Sequence, residues 1–137
     1  MRTFFDTNVL IYLFDEDDTK KKTLAQKLFE RETDAGRAVL STQVLQEFYV
    51  GVTKKLADPL SSEVAENVVR NLAELPLIQI DSKLVFAAIG KSRLLGFSFW
   101  DSLIIVAALS GGAECLFTED LQHGQVIDGM RVENPFL

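Results

Sequence analysis

Apolar residues crowd the N-terminus in two groups, Phe4-Phe5 and Val9-Leu10-Ile11, with Asp6-Thr7-Asn8 set between them. A short apolar run, a polar break and renewed apolar spacing predict strand, turn and helix, the helix covering about Thr7 to Phe14. The acidic run Asp15 to Asp18 reads as a solvated loop and the start signal of an amphipathic helix over Thr19 to Ala35. Leu24, Leu28 and Phe29 form its apolar stripe and Gly36 stops it. Ala38-Val39-Leu40 predicts a short buried strand. Ser41-Thr42 then caps a helix with Val44, Leu45, Phe48, Tyr49 and Val52 on one side, which frays at Lys54-Lys55 before Asp58-Pro59. Further helices, from Ser61 or Ser62 to about Glu74 and from Asp81-Ser82 to Leu95, flank a buried strand at Leu77 to Ile80. Leu103 to Leu109 is apolar on every side, the pattern of a core helix. A strand over Glu114 to Thr118, a loop containing Gly124 and Gly129, and a short edge strand around Arg131-Val132 close the chain. Strands alternating with helices predict one α/β domain over residues 1–137, with a central, mainly parallel sheet and helices on both faces.

Composition adds exclusions. The chain has 137 residues and a net charge of −6, which rules out a broad basic surface, so any nucleic-acid contact must be local. One cysteine, Cys115 in an apolar run, excludes a disulfide framework or a cysteine-based zinc site. One histidine, His123, excludes chemistry that needs two. The Asp6 and Asn8 breaks and the Glu16-Asp17-Asp18 run argue against a signal peptide, and no run has the length to span a bilayer. A cytoplasmic protein with no membrane contact is the expectation.

Four acids stand out. Asp6 follows the first strand, at the edge where open α/β sheets place ligands, and Asp120 (with Glu119 beside it) follows the strand at 114–118. Asp101 is the last charge before the core helix, three residues after Ser98 in a capping-box spacing. Glu47 falls roughly 130° from the centre of its helix's apolar stripe, toward the polar side. Each has an ordinary reading as a cap, a turn or a solvated residue. Together they predict one site for a hard divalent cation, Mg²⁺ or Mn²⁺, because the ligands are all oxygen and no Lys or Arg is near them in sequence. Lys20 to Lys22, Lys54, Lys55, Lys91 and Arg93 are the available phosphate contacts.

Phe5-Asp6-Thr7-Asn8-Val9, Ser41-Thr42-Gln43-Val44-Leu45-Gln46-Glu47-Phe48, Phe99-Trp100-Asp101-Ser102-Leu103-Ile104 and Phe117-Thr118-Glu119-Asp120-Leu121, in that order, resemble the PIN-domain nucleases. They are most similar to the toxins of VapBC-type toxin–antitoxin pairs. The resemblance implies a PIN-like fold, with Asp6, Glu47, Asp101 and Asp120 as the metal-holding, catalytic tetrad. It implies that Thr118 supports Asp120 and that Asn8 orients Asp6, and Glu119 can substitute for Asp120. It further implies an RNA substrate, an antitoxin partner and a homodimer formed through apolar faces of the early helices. A single histidine provides no acid–base pair for a cyclic-phosphate route, which leaves endoribonucleolytic hydrolysis by metal-activated water. Two alternatives compete. One is a non-catalytic PIN-like module that binds RNA or protein; the other is a haloacid-dehalogenase-type phosphatase, which needs a carboxylate where Asn8 stands.

Overall fold

The computed structural model describes residues 1–137. Strand β1 (Arg2–Phe5) leads into α1 (Thr7–Ile11), which tightens to a single 3₁₀ turn at Tyr12–Phe14. Then come α2 (Thr19–Asp34), β2 (Ala38–Ser41) and α3 (Thr42–Val50), which runs on as a π-helical turn at Gly51–Lys55. α4 (Ser62–Leu72), β3 (Leu77–Ile78), α5 (Ser82–Leu95) and α6 (Phe99–Ser110) follow. β4 (Ala113–Phe117), β5 (Val126–Ile127) and β6 (Met130–Glu133) complete the chain.

The six strands form one sheet in the order β3-β2-β1-β4-β6-β5, parallel except for the β5–β6 hairpin. β1 is central because its apolar residues are wanted on both faces. Phe5 meets Phe29 of α2 edge-on at 5.3 Å and Phe117 of β4 at 5.2 Å, so Thr3 and Phe5 look toward α2. Phe4 is in register with Val39 and Leu116 and shares the other face. There Val39 packs under Gly111, at the end of α6. Helices therefore cover both faces, as the alternation predicts.

The chain builds β1, β2 and β3 outward in one direction, then returns to place β4 on the other side of β1. That reversal between β1 and β4 opens a crevice at the carboxyl ends of the two strands, the usual ligand position in open α/β sheets. A hydrogen bond from Asp6 N to Phe117 O (2.9 Å) closes the sheet just below it.

Several elements differ from the sequence expectation. The strand at residues 77–80 shrinks to two half-buried residues at the sheet rim. Residues 130–133 are not the edge, because β5 folds back over them through Asp128 (φ 47°) and Gly129 (φ 86°). Asp-Gly between two extended runs is itself a hairpin-turn signature. Two of the three lysines in the first α2 turn are held by acids, Lys21 by Glu119 at 2.9 Å and Lys22 by Glu16, rather than offered to phosphate. α5 and α6 meet at 115°, and no single helix is long and apolar enough to cross a membrane.

Candidate active site

Asp6 is fixed twice over. It ends β1 as the cap of α1, with Oδ1 accepting from Thr7 N at 2.7 Å, while Oδ2 accepts from the Thr118 hydroxyl at 2.7 Å. Thr118, fully buried after β4, also accepts from Asp120 N at 3.1 Å. One hydroxyl thus sets the spacing between two of the acids. Burial, reinforced by the charges of Asp120 and Glu47, pushes the Asp6 carboxyl up to about 6, against the two hydrogen bonds that lower it. Asp120 is raised as well, first by burial and then by the charges of Asp101 and Glu119.

Glu47 projects from the exposed side of α3, and its Oε1 accepts from the Thr7 hydroxyl at 2.7 Å. Gln43, one turn earlier and 4% exposed, donates to Glu47 Oε2 at 3.4 Å and to the backbone oxygen of Trp100 at 3.3 Å. It thereby ties α3 to the first turn of α6. In that turn Ser98 Oγ accepts from Asp101 N at 3.1 Å, which is half of a capping box. The Asp101 carboxylate makes no return bond and is free to face outward. Asp6, Glu47, Asp101 and Asp120 all line one cleft of about 520 Å³, together with Thr7, Asn8, Gln43, Gln46, Lys55 and Trp100.

Two expected contacts fall elsewhere. Asn8 lies 3.4 Å from Asp120 Oδ2, not on Asp6, whose oxygens are taken by Thr7 and Thr118. Glu119 is turned out of the cleft: its carboxylate accepts from Tyr12 OH at 2.5 Å and pairs with Lys21 at 2.9 Å. Of the doublet, only Asp120 faces the cleft. Thr7, Gln43, Gln46 and Trp100 were not singled out from sequence as site residues. Thr7 sits next to Asp6, but its partner is 40 residues away, so nothing local marks it.

The PIN domain family profile matches residues 3–127. This chain belongs to the PIN domain family. No curated protein matches it. Among solved structures, this PIN domain is similar to a toxin–antitoxin complex from Klebsiella pneumoniae, at 20% identity over 97% of each chain and a TM-score of 0.69. It is also similar to a DNA-bound VapBC from Salmonella typhimurium, at 23% identity over 98% of each chain and a TM-score of 0.68. A third similar structure is a VapC toxin of Mycobacterium tuberculosis described as cleaving the sarcin-ricin loop, at 14% identity, 86% of this chain and 89% of that one, TM-score 0.66. The PIN assignment displaces the phosphatase alternative, and locally Asn8 supplies an amide where that chemistry needs a second carboxylate.

The donor set of the cleft is suited to a hard divalent cation. The four acids offer only carboxylate oxygens, and both Asp6 and Asp120 are raised by burial and by neighbouring carboxylate charges, which a cation would offset. The acids ring the cleft rather than converge, since no three are drawn together as a ready ligand group. Mg²⁺ tolerates that arrangement, because it commonly keeps several waters and takes only one or two carboxylates directly.

Proposed function

We propose that this PIN domain is a Mg²⁺- or Mn²⁺-dependent endoribonuclease acting as the toxin of a toxin–antitoxin pair. The observation that carries the reading is the gathering of Asp6, Glu47, Asp101 and Asp120 from four separate chain segments around one cleft that also holds Lys55. Asp6, Asp101 and Asp120, with Glu47, would hold the cation. When bound, it supplies Lewis acidity to a phosphoryl oxygen and makes water a nucleophile near neutral pH. The chain's own part is placement. Thr118 fixes Asp6 and the Asp120 backbone, Thr7 fixes Asp6 and Glu47, and Asn8 bears on Asp120. Lys55 is the one cation lining the cleft and is suited to a phosphate of the substrate strand. The similar structures described as toxin–antitoxin and VapBC complexes support an antitoxin partner, and the sarcin-ricin loop toxin supports RNA as substrate. The same reading places the protein in the cytoplasm. A homodimer is part of it, with one revision. The early helices bury much of their apolar stripe, whereas α5 exposes Phe86 and Leu94 at 70% and 77%.

The test is cleavage of a panel of structured RNAs, with sequencing of the cut ends. Activity is expected with Mg²⁺ or Mn²⁺, poorly with Ca²⁺, and not in EDTA. Asp6→Asn and Asp101→Asn should each reduce it at least a hundredfold while the protein stays folded. Full activity in EDTA would overturn the reading, and a folded protein that binds RNA in Mg²⁺ without cutting it would favour the non-catalytic module.

A further inference from the structure

The only tryptophan in the chain stands at the lip of the cleft. Trp100 lies in the first turn of α6 and is 62% exposed, although an indole is among the side chains with most to gain from burial. Its position is set by neighbours rather than by the core. Its backbone oxygen is held by Gln43 at 3.3 Å, and Phe99 braces its ring edge-on at 5.1 Å. Gln43 also donates to Glu47, so the Trp100 backbone and the acid are linked through one side chain. The Gln43 Oε1 is buried at the cleft wall without a partner.

An open aromatic face beside a phosphate-reading site suits unpaired nucleotides. Their backbone follows the charges, and a base lies flat on the ring. In a duplex both faces of each base are already stacked, so a double helix cannot use such a platform. This protein has a special need for it. With a net charge of −6 and one cation in the cleft, bulk electrostatics cannot hold a polyanion, and stacking supplies affinity without charge.

We propose that Trp100 is a stacking platform that receives one unpaired base of single-stranded RNA beside the phosphate at the acidic cleft. The identity of the ligand rests on the nuclease reading above, while the platform itself rests on the exposed, braced indole. Trp100 is thus a binding residue for the substrate, and its stacking tolerates different bases.

Because Trp100 is the sole tryptophan, its fluorescence reports directly on the event. The probes are hexauridylate and a ribose-phosphate hexamer lacking bases, titrated in Ca²⁺ so that strands persist. Hexauridylate should quench the emission and the abasic strand should not. By anisotropy of labelled hexauridylate, Trp100→Ala should bind about tenfold more weakly, and Trp100→Phe should retain most of the affinity. In cleavage assays Trp100→Ala should raise KM more than it lowers kcat. Absent quenching, equal quenching by the abasic strand, or wild-type binding by Trp100→Ala overturns the proposal, and would leave the indole to a protein contact. If Trp100→Ala does not fold, the wild-type titrations and Trp100→Phe decide. Metal-dependent cleavage without these effects sinks the platform alone; base-dependent quenching without cleavage in Mg²⁺ or Mn²⁺ sinks the nuclease reading alone.

Discussion

Glu32 and Asp6 are both buried carboxylates, yet their surroundings push them in opposite directions. Glu32 is 1% exposed on α2 and accepts from Arg37, Arg31 and the Thr3 hydroxyl, at distances of 2.7–3.0 Å. Arg37 above all holds its carboxyl down to about 2, despite burial. A lowered folded value stabilises the protein at pH above the unfolded one, and that stability is lost as pH falls from about 4.5 toward 2. Asp6, raised to about 6, has the opposite sign: its contribution is complete below about 3.8 and is lost as pH rises through 6. Denaturant melts of the metal-free protein at pH 3, 5 and 7.5 should separate the two. Glu32→Gln should cost about 2 kcal/mol at pH 7.5 and flatten the acid limb. Asp6→Asn should flatten the decline between pH 5 and 7.5, and should remove most of the gain that Mg²⁺ gives the wild type. That gain is roughly 2.7 kcal/mol at a hundredfold excess over Kd. If both variants follow the wild-type curve, the burial argument fails. Asp6, Asp101 and Asp120 were legible in sequence because each stands at the end or start of an element beside apolar residues, whereas Glu32, inside α2, was not. Thr7, Gln43 and Trp100 were not, because their roles come from contacts made across 40 or more residues.

At the level of elements, the π turn after α3 does what a regular helix could not. Its wider winding makes residues five apart neighbours, and Val50 and Lys55 both line the cleft. In sequence this stretch looked like fraying, since Lys54-Lys55 before Asp58-Pro59 carries no mark of a register change. Gly51, the first residue of the turn, leaves room for α1, since a Cβ there would overlap Ile11 Cδ1 and press on Cγ1 at 3.2 Å. Gly51→Ala should therefore destabilise the protein by about 1 kcal/mol, overpacking outweighing the better helix propensity of Ala. Ile11→Ala should relieve that clash, so a double-mutant cycle should show favourable coupling. Simple additivity would mean that Ile11 does not limit the side chain at position 51. The β5–β6 hairpin illustrates the opposite case. Its Asp128-Gly129 turn was present in the sequence, but two-residue strands carry too little alternation to be recognised as strands.

For the whole molecule, a mainly parallel sheet with helices on both faces was readable from alternating patterns, because parallel sheets and their crossovers admit few topologies. That Asp6 and Asp120 stand at the same edge of the sheet followed from it, since β1 and β4 run parallel and end side by side. The proposed activity makes a prediction at this scale. Expression of the chain in a bacterial host should slow growth, and co-expression of the protein encoded next to it should relieve the effect. Asp6→Asn should be harmless at equal abundance. Unimpaired growth with the wild type, or equal toxicity of Asp6→Asn, would remove the toxin reading.

Both rims of the sheet are two-residue strands, β3 on one side and β5 on the other. A bare rim is where a foreign peptide extends a ladder and where misassembled chains nucleate fibrils. Here each rim provides too short a template for either. A partner must therefore recognise side chains on the helices or around the cleft, and a surplus of free protein has little backbone on which to aggregate.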